Sequence, residues 1–118
     1  MIRKKEERST VVYEHFKGGV GQFAVTQIAA AEELGKAGRM FGCGRLEPGH
    51  SVGWHIHEKD MEICCFLEGD GTIVDADGRE CPVRPGDVQI CLPGEGHAVL
   101  NTGSAPLVYI ALVCYPQG

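Results

Sequence analysis

Ten short stretches of β-branched or alternating apolar residues, each closed off by Gly, Pro or Asp, follow one another along this chain and favour antiparallel β-structure. They cover residues 10–13, 22–28, 39–46, 52–57, 61–67, 72–75, 79–83, 87–92, 97–101 and 107–114. The punctuation is dense: 17 of 118 residues are Gly, about twice the usual ~7%, and no internal repeat accounts for them. Two turns are explicit, Glu68-Gly69-Asp70-Gly71 and Asp75-Ala76-Asp77-Gly78, and both predict hairpins. Only Ala29 to Leu34, followed by Gly35, has helix-forming composition. So short a segment barely nucleates a helix, and a helical turn or a loop fits it equally. Many short strands without a substantial helix predict an all-β fold, an antiparallel sandwich or barrel that closes or covers its own edges.

A chain of 118 residues has material for one core, so residues 1–118 are expected to form a single domain with a charged N-terminal tail at 1–9. The 11 basic and 16 acidic side chains give a formal charge of −5. The only basic run, at residues 3–8, is half cancelled by Glu6 and Glu7, so no nucleic-acid partner is expected. The six cysteines form no C-x-x-C pair and are too sparse for a disulfide scaffold. No apolar signal-peptide core and no run of 18 apolar residues is present. These features predict a cytoplasmic protein with reduced thiols and no membrane partner.

Chemistry concentrates between Gly49 and Gly69. His55 and His57 are two residues apart, so on a strand both imidazoles leave the same face and can meet on one ion. Glu62 is five residues further on, an odd spacing that an unbroken strand would send to the opposite face. The polar Glu58-Lys59-Asp60 gives room for a turn that resets the parity. His97 follows after a hairpin and a Pro-Gly turn, where antiparallel pairing can bring it beside the others. Three imidazoles and a carboxylate make a site of borderline hardness, suited to a divalent transition metal such as Mn, Fe, Ni, Co or Zn. His15 and His50 read as surface or hydrogen-bonded residues. The acidic residues around the first hairpin, Asp60 among them, read as solvated turn positions.

These residues resemble the two motifs of the cupin superfamily. The first, G-x5-H-x-H-x3–4-E-x6-G, is matched by Gly49, His55, His57, Glu62 and Gly69. The second, G-x5-P-x-G-x2-H-x3-N, is matched by Gly86, Gly94, His97 and Asn101, with Leu92 in place of the motif proline and Pro93 directly after it. The resemblance implies a small jelly roll, or double-stranded β-helix, with its motif-bearing core at about residues 39–114. It further implies that His55, His57, Glu62 and His97 face inward to a divalent metal. Pairing of two copies into a homodimer is a further family expectation.

Alternation from an inward Glu62 sends Cys64 and Phe66 inward too, as possible pocket lining, while Trp54 beside His55 faces away. A buried Cys is usually a small apolar residue, and Cys64 is not expected to be a nucleophile. Arg39, Arg45 and Tyr109 are candidate substrate anchors whose facing the sequence leaves open. Four protein ligands on an octahedral ion leave about two positions for a small oxygenated or anionic ligand. Three roles follow: a metal-dependent isomerase, epimerase or lyase; an Fe(II)-dependent dioxygenase; or a non-catalytic binding or sensing module. No general acid or base is identifiable.

Overall fold

The computed structural model describes residues 1–116 and contains ten strands among them. In chain order they are β1 (Thr10–Glu14), β2 (Gln22–Ala29), β3 (Gly38–Leu46), β4 (Ser51–Ile56), β5 (Met61–Glu68), β6 (Gly71–Val74), β7 (Glu80–Val83), β8 (Val88–Cys91), β9 (Gly96–Leu100) and β10 (Leu107–Cys114). Each coincides with one of the ten expected stretches to within a residue or two at either end. A single helical turn, α1 (Ala31–Leu34), lies between β2 and β3. Glu33 accepts the Ala30 backbone N–H at 2.7 Å, which satisfies one donor at the start of that turn. Among the described residues no helix is long and apolar enough to cross a membrane.

All pairings are antiparallel and fall into two sheets, β1-β2-β3-β10-β5-β8 and β4-β9-β6-β7. The sheets face one another as a jelly-roll sandwich. Inward positions alternate along the strands as the pleat requires. In β10 they are Leu107, Tyr109, Ala111 and Val113, and in β5 they are Glu62, Cys64 and Phe66. Leu46, Phe66, Leu107 and Cys64 are fully buried in the core.

One of the two expected hairpins is absent. Asp75 to Gly78 does join the paired strands β6 and β7, with Gly78 at φ 82°. Glu68 to Gly71 instead carries the chain from one sheet to the other. The reason lies in β5, whose two edges are taken by β10 and β8, leaving no edge for β6. At the crossing Gly69 has φ 80°, and a side chain there would strike the Pro106 carbonyl.

The charged N-terminal run is docked against the sheet edge. Arg3 pairs with Glu33 at 2.8 Å, and Arg8 Nε donates to the Gln27 carbonyl at 2.9 Å.

Candidate metal centre

The four candidate ligands come from both sheets. His55 on β4 and His97 on β9 are direct cross-strand partners. His57 sits just beyond β4, where its N–H donates to the Glu95 carbonyl at 2.9 Å. Glu62 enters from β5 in the opposite sheet. Its spacing from His57 is therefore resolved by a change of sheet within the 57–60 connection.

A local irregularity aims His55. The register between β4 and β9 slips between Val52 and His55, so these residues both face inward although they are three apart. Gly53 in the slip has no room for a side chain, because a Cβ would strike the Lys17 carbonyl of the 3-10 turn Phe16–Gly18. Phe16 and Lys17 of the same turn line the cavity. Trp54 faces away from the site, as alternation predicts, and its ring covers Gly96.

Leu92 does not displace His97. Its backbone N–H donates to Glu95 Oε1 at 2.8 Å, a bond that a proline could not make, and this braces the turn before β9.

Glu62 Oε1 lies 2.9 Å from His97 Nε2, 3.0 Å from His57 Nε2 and 3.9 Å from His55 Nε2. His97 Nε2 is 3.1 Å from His55 Nε2 and 3.3 Å from His57 Nε2. The four donor atoms all lie within 4.8 Å of one another. The other ring nitrogens are committed outward. Nδ1–H of His55 donates to the Gly53 carbonyl at 2.8 Å, that of His57 to Asp60 at 2.7 Å, and that of His97 to Gln89 Oε1 at 2.7 Å. Gln89 is oriented in turn by its amide contact with Asp75 at 3.4 Å.

With each Nδ1 acting as donor, each neutral ring presents an unprotonated Nε2 to the cluster. Three such lone pairs and a carboxylate then converge with nothing to donate among them. A cation resolves this arrangement, and the N/O donor set suits a divalent transition metal.

Electrostatics agree with that reading. Burial pushes the Glu62 carboxyl up, but the three imidazoles together outweigh it and hold the group well below the ordinary carboxylate range. When His57 is protonated its Nε2–H can donate to Glu62, and that bond, opposed by burial and helped by Asp60, raises His57 above the ordinary imidazole value. Asp60 is itself lowered: burial opposes its charge, and Arg39, at 2.6 Å, together with His57 overcomes that cost. A proton on His57 and a metal ion thus compete for the same place.

Asp60 and Gln89 are the residues that sequence reasoning missed. Asp60 is 8% exposed and orients His57, whereas the sequence placed it among solvated turn acids. Its position three residues after a candidate ligand was the available clue.

Cys64 and Phe66 do point inward, yet they are packed in the core and do not line the cavity. That role falls to Phe16, Lys17, Phe23, Arg39, Met40 and Tyr109, beside the four donors and the valines 52, 99 and 113. Burial raises the thiols of Cys64 and Cys91, the latter to about 12, so neither is an activated nucleophile. His50 accepts the Gln22 N–H at 3.1 Å and His15 lies 3.2 Å from the Gly19 carbonyl, both away from the centre.

The cavity offers about 40 Å³ of water-accessible space, against roughly 10–15 Å³ for a single water. The space therefore admits a small molecule and not just a single water.

Comparison with known proteins places this geometry in context. A family model described as the cupin domain matches residues 43–113. The chain is 32% identical over 113 residues to an oxalate-binding protein of Thermotoga maritima, spanning 96% of this chain and 93% of that protein. The crystal structure of a predicted oxalate decarboxylase from Thermotoga maritima is similar with a TM-score of 0.91 at 31% identity, covering 98% of this chain and all of that one. A sugar phosphate isomerase of the cupin superfamily from Silicibacter pomeroyi is similar at a TM-score of 0.67 and 26% identity, covering 80% of this chain and 60% of that one.

Proposed function

The chain belongs to the cupin domain family, and on that premise we propose that it binds a divalent transition metal through His55, His57, Glu62 and His97 and, beside the metal, a small carboxylate anion of the oxalate class. The observation that carries this reading is the convergence of four donors, the three imidazoles among them with their outer nitrogens already committed. The metal would supply a Lewis-acidic centre for the carboxylate oxygens. Arg39 and Lys17 in the cavity lining add positive charge, and the cavity has room for a small molecule. The oxalate-binding relative agrees in ligand class.

A second reading, turnover of such an anion by a redox-neutral lyase reaction, draws support from the similar structure described as a predicted oxalate decarboxylase. Formate and carbon dioxide release under anaerobic conditions is its signature. Substrate-dependent oxygen uptake with Fe(II) would point to dioxygenase chemistry instead, and binding without either leaves the chain a binding module.

Elemental analysis and calorimetry test the main reading. Protein purified without an affinity metal should carry about one transition metal per chain, and adding oxalate should release or absorb heat only when metal is present. His97→Ala should lose both the metal and the oxalate response. Unchanged metal content in that variant would sink the assignment.

Pairing of two copies is also proposed. The outward residues Val88 and Ile90 of edge strand β8, with Leu67 and Leu92 near them, are each 44–55% exposed, and such an apolar edge favours burial against a partner. Sedimentation of the purified chain as a monomer at micromolar concentration would rule this out.

A further inference from the structure

We propose that the hydroxyl of Tyr109 donates a hydrogen bond to the end of the anion that lies away from the metal, and so selects for ligands carrying a second carboxylate. The inference rests on the reading that an oxalate-class anion occupies the cavity.

Tyr109 lies on β10, in the middle of the six-stranded sheet, and is 2% exposed. Its ring is fixed on three sides. Phe23 stacks on it at 5.9 Å with a 15° interplanar angle, and Phe66 packs against it at 5.1 Å. Behind it is Gly44, its cross-strand neighbour on β3. A Cβ on Gly44 would come within 3.4 Å of the ring carbon that bears the hydroxyl. The closer clash would be with Phe23, at 2.7 Å, so the glycine makes room for the Phe23 ring that stacks on Tyr109, and the two phenylalanine contacts hold the hydroxyl in place before any ligand arrives.

That hydroxyl has no protein partner among the described residues. Every fully enclosed side-chain nitrogen and oxygen does have one, so the Tyr109 oxygen opens onto the cavity that the residue lines. An unpartnered polar group in so buried a residue is costly to maintain unless something else satisfies it.

The cavity's other polar groups are the metal-site donors and two cations. The four metal-site donors face one another, and Arg39 is tied to Asp60 at 2.6 Å. Lys17 sits over the Phe16 ring at 5.4 Å. The rest of the lining is apolar, which leaves Tyr109 as the uncommitted neutral donor. Burial raises the phenol well above its ordinary value, so it keeps its proton at neutral pH and can only donate to a carboxylate. An anion held by its oxygens at the metal still presents carboxylate oxygens at its far end, and these are the matching acceptors.

The test compares wild type with Tyr109→Phe, both loaded with Mn(II), by calorimetric titration with oxalate and with acetate. Thermal melts and Mn(II) titrations of the metal-free proteins accompany it. Because the hydroxyl has no protein partner, the variant should melt at the same temperature or slightly higher and bind Mn(II) equally well. Oxalate affinity should fall roughly 10- to 100-fold, the worth of a hydrogen bond to a charged group. Acetate, which lacks the second carboxylate, should bind the two proteins alike.

Equal oxalate affinity in the two proteins would overturn this inference and leave the proposed function standing. Failure of the wild type to bind oxalate would overturn both. Loss of melting temperature and Mn(II) affinity together in the variant would make the hydroxyl structural and overturn the inference alone.

Discussion

Strands β5 and β9 each contribute to both ends of the sandwich interior, and the two ends differ in what they bury. Along β5 the inward residues run Glu62, Cys64, Phe66, and along β9 they run His97 and Val99, with the buried Asn101 directly after the strand. At the first end three imidazoles and a carboxylate surround a small cavity. At the second, Phe66, Leu46 and Leu107 are fully buried. Asn101 closes that end by donating to the Leu46 and Ala105 carbonyls at 2.8 and 2.9 Å and accepting the Gly103 N–H at 3.0 Å.

The contrast assigns different physics to the two ends. Apolar burial at the closed end supplies stability, while the open end gathers unprotonated donors that gain little from one another until a cation arrives. The second His motif therefore carries residues with different duties: His97 faces the cluster, and Asn101, four residues on, ties loops together.

The largest perturbation should come from the closed end. Phe66→Ala is expected to lower unfolding free energy by about 3–5 kcal/mol in urea titration of the metal-free protein, through lost burial and the cavity left behind. Its Mn(II) affinity, measured at a temperature where it remains folded, should stay within a few-fold of wild type. A large loss of metal affinity would show that the two ends are not separable.

At the open end, Asp60→Asn keeps an acceptor for His57 Nδ1–H and removes the charge behind it. Metal affinity should fall about 10- to 100-fold. Metal-free stability should move by less than ~1 kcal/mol, since Arg39, the other partner, is half exposed. An unchanged metal affinity would remove Asp60 from the site.

The smallest and most graded effect is that of pH. The raised His57 value means that a proton must leave before the metal binds, so metal affinity should weaken about tenfold per pH unit below that value for each proton displaced. In the metal-free fold the sign is reversed. The contribution of protonated His57 is complete below the unfolded value of ~6.5 and is lost as pH rises through the raised folded value. Both effects make the metal-induced rise in melting temperature larger at pH 8 than at pH 6. Differential scanning at the two values checks this, and an equal shift would contradict the competition.

Much of this was legible in the chain. The period-two patterns located every strand because a half-buried strand must alternate, and the spacing of His55 and His57 announced a shared face for the same reason. The turn at Glu68 to Gly71 misled because its residues specify a reversal but not the strand that receives it; prior occupation of both β5 edges decided that. Asp60 was hidden because a carboxylate in a polar run looks solvated until the backbone folds it against a histidine and an arginine.

The sequence by itself determined the strands, the donor types and the glycines that their turns require, since these follow from local sterics and short-range periodicity. Only the tertiary structure decided that Glu62 would face His55, His57 and His97 from the opposite sheet, that Asp60 and Gln89 would hold two of the imidazoles, and that Tyr109 would line the cavity. Each of these depends on which strands pair and how the two sheets close, and such contacts between distant residues are set by the packing of the whole core.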